Sequence, residues 1–170
     1  MLARPWPRVA FPRIPPPYTA QATPSAHLVL GPKYSRRIMC ACSLMLGSIG
    51  SALWNGLPDN MLLAALVLAT SVNYWRFPIE GVRRRLDMAC ANFAIMYQLL
   101  YSSRSAPPSA QLAYFVMVVL GGAFYLGARH YGRGRGDHDS ASKCHVCLHV
   151  VGNVGNVLLY DALGHRRLGW

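Results

Sequence analysis

Charge is what this sequence lacks most. Only 14% of its 170 residues are charged, and 6 acids stand against 17 Lys and Arg, whereas a water-soluble domain carries about 25% charged residues. Too few ionic groups are present to cover a solvated surface. Cysteine is sparse and odd in number: Cys40, Cys42, Cys90, Cys144 and Cys147 all lie in or beside apolar runs, where a free thiol acts as a small hydrophobe. That pattern argues against a secreted fold stapled by disulfides. No apolar stretch long enough for a secretory leader precedes residue 38, so none is expected. The net charge of +11 would suit nucleic acid, but a chain that is 53% apolar does not, and no nucleic-acid partner is expected.

What is present is a basic tail followed by a series of apolar runs. Residues 1–36 contain eight of the twelve prolines, including Pro15-Pro16-Pro17, and proline removes a backbone donor and clashes with the preceding helical turn. A disordered, extended Pro/Arg-rich tail beside an anionic membrane surface is the expectation, with an organelle transit peptide as the alternative. Five apolar runs then follow, at 38–57, 61–75, 86–101, 110–128 and 144–160. About twenty helical residues cross a bilayer core of about 30 Å. The chain therefore reads as an all-α polytopic membrane bundle of about five spans over 37–162, with a short basic C-terminal tail at 163–170.

Five crossings put the tail, the 76–85 loop and the 129–143 loop on one side with 14 of the 17 Lys and Arg, leaving Arg104, Arg166 and Arg167 opposite. That imbalance predicts a cytoplasmic N-terminus. The basic loops are placed to meet anionic lipid headgroups. The lipid bilayer itself is the expected partner.

Polar side chains at membrane depth are costly and tend to face the bundle interior. In the last run His145, His149, Asn153, Asn156 and Tyr160 fall within an arc of about 80° on a helix. Val150, Val151, Val154, Val157 and Leu158 take the other side. Imidazoles at i and i+4 can meet one metal ion, and they can equally hydrogen-bond across helices. Ser71 near the end of the second run and Asp87 at the start of the third should lie at the same membrane face. Taken singly, Ser71 reads as a packing serine, and Asp87 as an N-terminal acid paired with Arg83, Arg84 or Arg85. Together the expected cluster is Ser71, Asn73, Asp87, Asn92, His145, His149 and Asn153, with Gly152 and Gly155 packing near Gly47, Gly50 and Ser51.

The stretch Ser71-Val-Asn-Tyr-Trp75, Asp87 on the next helix and His145-x-x-x-His149 opening the last helix resembles the CREST superfamily of seven-helix membrane proteins. That group includes alkaline ceramidases, adiponectin- and progestin-type receptors and lipid-remodelling enzymes. The resemblance implies a zinc-dependent lipid amidase or esterase, with His145 and His149 as zinc ligands and Asp87 and Ser71 as the catalytic pair acting on the metal-bound water. Trp75 stands where the third His is expected. Asp87, Cys90, His130 or His138 are the substitutes the sequence offers. Three functions follow as alternatives: a non-catalytic membrane component whose cluster packs helices or binds a partner, the zinc hydrolase, and a proton or cation pathway along the stripe.

Overall fold

Proline and glycine set the joints of this chain. The computed structural model describes residues 29–168, with side chains through 165, and its regular elements there are all helical. Pro32 opens α1 (Pro32–Cys42) from an extended Gly31, using the one helical position where a missing N–H costs nothing. At Ser43 the hydroxyl donates to the Cys40 carbonyl at 2.6 Å, and the backbone tightens to three-residue bonds before α2 (Met45–Trp54) resumes. Together they form one rod of 23 residues. Gly56, at φ 64°, ends it: the Leu57 N–H reaches the Ala52 carbonyl and the Gly56 N–H that of Leu53, while Leu57 and Ala52 share an apolar cluster. That is the glycine-terminated cap expected where the chain must reverse.

Pro58 opens α3 (Pro58–Trp75), and α4 (Val82–Tyr97) follows a short loop. A π turn at Gln98–Ser102 and a 3₁₀ turn at Ser103–Ser105 lead to Pro108 and α5 (Pro108–Arg129). A second π turn, His130–Gly134, and Gly136 at φ 67° precede α6 (His138–Leu168). The Asp137 carboxylate accepts the Ser140 N–H at 3.0 Å and caps that helix.

The rods run up and down. One end, called upper here, gathers the start of α1, the α3–α4 loop and the α5–α6 connection: the Val29 N–H donates to the Pro78 carbonyl, Arg37 pairs with Asp139 at 2.9 Å, and Arg133 pairs with Glu80 at 2.6 Å. At the lower end Asn55 donates to Asp161 at 2.8 Å, Ser102 to Asn60 at 3.0 Å, and Tyr97 to Asp59 at 3.2 Å. The first rod and α3 pack on each other and α6 covers the first rod. α4 packs on α3 and α5 on α6, but among the described residues the backbone of α4 does not pack along α5 or α6. A space is left between these two pairs.

Three helices are long and apolar enough to cross a membrane: Pro32–Trp54, Pro108–Gly134 and His138–His165. The other two fall short for visible reasons. α3 begins Pro58-Asp59-Asn60 and ends Asn73-Tyr74-Trp75, so its apolar stretch is only its middle. α4 opens on Arg83-Arg84-Arg85 with Asp87 behind them, so its first turns are charged, although the π turn at Gln98–Ser102 carries the helix on past Tyr97.

Several boundaries move. The expected tail at 1–36 overlaps α1, which starts at Pro32 because proline is favoured at a helix start; residues 1–28 lie outside the described residues. The expected tail beginning at 163 is helical as far as Leu168, because α6 continues through Gly164 without a turn; residues 169–170 lie outside the described residues. The 76–85 and 129–143 loops shrink, since α4 starts at Val82 and a π turn extends α5 to Gly134.

Candidate functional site

The space between α3/α4 and α5/α6 is a cavity of about 360 Å³ whose walls include Ser71, Asp87, His145, His149, Asn153 and Asn156. All four residues singled out by resemblance thus reach one chamber. The Ser71 hydroxyl donates to Asp87 Oδ1 at 2.6 Å, and Thr70 Oγ1 stands 3.5 Å from the same oxygen while bonding to the Leu66 and Val67 carbonyls. Serine and threonine in adjacent helical positions can both serve one acceptor because α3 and α4 pack side by side. The expected pairing of Asp87 with its own arginines does not occur. Among the described residues Asp87 has no ion pair, and Arg84 turns instead to Glu80 one helical turn earlier in sequence.

On α6 the polar stripe forms as expected. His149 and Asn153 are buried, and Val150, Val154 and Leu158 are exposed on the opposite side. The His145 and His149 rings lie edge to face with centroids 5.2 Å apart, and the Trp75 ring stands 4.8 Å from that of His145. His149 Nε2 is 3.7 Å from Cys42 Sγ on α1. Asn153 donates to the His149 carbonyl at 2.7 Å and accepts the Ser48 hydroxyl at 2.6 Å. The Cys42 and Ser48 contacts tie α6 to the first rod, and the Trp75 contact ties it to α3. Deeper in the cavity Gln98 donates to Tyr160 Oη at 2.6 Å and accepts from Tyr114, so three helices meet at one amide.

The donor set does not fit zinc. A tetrahedral site takes four ligands, three of them protein groups even where water holds the fourth. Among the described residues no group of three or more His, Cys, Asp or Glu is placed to hold a metal ion. Trp75, whose ring stands against His145, adds no ligand, because an indole has a donor N–H but no lone pair to offer. Cys90 packs among apolar residues of α2, α3 and α4, His138 lies against Tyr34, and His130 against Tyr131. None of these contacts brings a third donor to the imidazoles.

Two expected members of the cluster are placed differently. Asn73 is exposed, since it sits two residues past Ser71 on α3 and so faces away from the cavity. Asn92 lines the cavity but is itself exposed to it. A Cβ added at Gly47 or Gly50 would meet nothing within 4 Å, so neither is a close-packing site; Ser48 is the residue of α2 that meets Asn153, and Ser51 turns to Asp161. Sequence reasoning missed Thr70, Cys42, Ser48 and Tyr114. A polar residue one turn from another on an apolar helix was the available signal for Ser48 and Thr70. For Tyr114 there was none.

No protein-family model, curated protein or solved structure matches the chain.

Proposed function

We propose that this chain is a five-crossing integral membrane protein whose internal cavity binds a lipid-like amphiphile without catalysis. The observation that carries the reading is the cavity itself: apolar walls from Met45, Ala64, Val67, Ile95, Val118 and Leu148, with hydrogen-bonding groups at its upper end in Ser71, Asp87 and His145 and at its lower end in Gln98 and Tyr114. Its volume of about 360 Å³ falls within the range of small-molecule sites, about 300–1,000 Å³. Five crossings are favoured because α3 and α4 also present bare apolar side chains outward, with Leu62 65% and Phe93 60% exposed, as do α2, α5 and α6. In water such a belt would be an aggregation surface; in lipid it is solvated.

Photolabelling in detergent with a diazirine-bearing oleoyl chain tests the cavity. Adducts on Met117 or Leu148 that disappear in Ile95→Trp, which fills the space from its partly exposed wall, are the expected result. Adducts confined to outward residues such as Leu62 and Leu112, and unchanged in the variant, would overturn it.

A further inference from the structure

A second space of about 260 Å³ lies at the upper end, and Trp75, Asp87, Met88, Tyr125 and His145 belong to the walls of both. Its rim is cationic: Arg84, Arg129 and Arg133 line it together with Glu80. Resting on the cavity reading above, we infer that the occupant is a single-chain amphiphile with an anionic headgroup, received at this rim between Arg84 and Arg133 with its chain in the apolar cavity below.

Glu80 shows how the rim handles an oxyanion. Its carboxylate bridges Arg84 at 2.5 Å and Arg133 at 2.6 Å, linking the first turn of α4 to the α5–α6 connection. The Arg84 side chain is only 20% exposed, whereas that of Glu80 is 53% exposed and comes from a loop. Guanidinium forks held at the mouth of a cavity match phosphate or carboxylate geometry in a way that ammonium groups do not. Arg129 stacks on Tyr125 at 6.0 Å and has no ion pair among the described residues. The space therefore carries three guanidiniums against two carboxylates, Glu80 at the rim and Asp87 below it, and an incoming anion takes the place of Glu80 between two of the guanidiniums. Asp87, at the boundary of the two spaces, repels a headgroup that descends further and so fixes its depth. A zwitterionic choline headgroup would bring a cation into the same rim and is disfavoured.

Displacement of the oleoyl photoprobe by oleoyl lysophosphatidate, oleoyl lysophosphatidylcholine or inorganic phosphate tests this on the full chain in nonionic detergent. Lysophosphatidate should displace the probe at roughly tenfold lower concentration than the choline lipid. The preference should vanish in the pair Arg84→Gln/Arg133→Gln and persist in Arg83→Gln/Arg85→Gln, which removes equal charge from exposed positions outside the rim. Equal potency of the two lipids, or loss of preference in both pairs, would overturn the headgroup assignment while leaving the cavity reading intact. Displacement by inorganic phosphate as readily as by lysophosphatidate would assign the rim to a free anion and overturn it too. Failure of every lipid to displace the probe would remove both.

Discussion

Asp87 accepts the Ser71 hydroxyl across the α3–α4 contact at 2.6 Å, and the Thr70 hydroxyl, bonded to its own helix, stands 3.5 Å away. Ser71→Ala removes the shorter of the two and leaves a half-buried carboxylate poorly satisfied, a loss of about 1–2 kcal/mol. Thermal unfolding in detergent should register that loss for Ser71→Ala and less for Asp87→Asn, whose amide oxygen still accepts the hydroxyl. The imidazole pair leads to a different expectation. Two imidazoles without a third donor beside them among the described residues should hold zinc only weakly. Protein dialysed at neutral pH should carry far less than one zinc per chain, changed little by His145→Ala or His149→Ala. Stoichiometric zinc lost in both variants would reinstate the hydrolase reading.

Between elements, small residues and one ionic clamp set the spacing. A Cβ added at Gly155 would stand 2.9 Å from Met117 Cβ on α5, whereas at Gly152, three residues earlier, it would meet nothing within 4 Å. Gly155→Ala should therefore cost about 1–3 kcal/mol by prising α6 from α5, while Gly152→Ala should be neutral or stabilising by up to about 1 kcal/mol through helix propensity. Comparing their unfolding midpoints checks both. The Glu80 clamp is the ionic counterpart. The Arg84 hydrogen bond foremost, with Arg133 beside it, holds this carboxyl below its ordinary pKa of 4.5. A group depressed on folding contributes above its ordinary pKa, and that contribution is lost as pH falls through the depressed value. The protection of residues 77–81 against hydrogen exchange, relative to the intrinsic rate at each pH, should accordingly be high at neutral pH and fall only below about 4.5. In Glu80→Gln it should be low at both.

For the molecule as a whole, the number of crossings decides where the two ends lie. Five rods that alternate in direction place the start of α1 and the end of α6 at opposite ends of the bundle. Glycosylation tags at residue 2 and residue 170 should report opposite compartments, the N-terminal one cytoplasmic by the basic-residue imbalance. Both tags in one compartment would mean that α3 or α4 does not cross, and the cavity between the helix pairs would then face water instead of lipid.

Helical class, the apolar runs and the α6 stripe were legible in the chain because each depends on local spacing: runs without charge, and a repeat of 3.6 residues that puts His149, Asn153 and Tyr160 on one face. The meeting of Ser71 with Asp87 could be anticipated in depth but not in contact, since depth follows from counting along rods and contact depends on which rods adjoin. Tertiary structure alone decided that Asp87 looks to serines and threonines and Arg84 to Glu80, that Trp75 closes against His145, and that α4 stands off from α5 to leave a chamber. Those outcomes turn on how side chains from distant segments share space, and no periodicity in the chain encodes the distance between two helices.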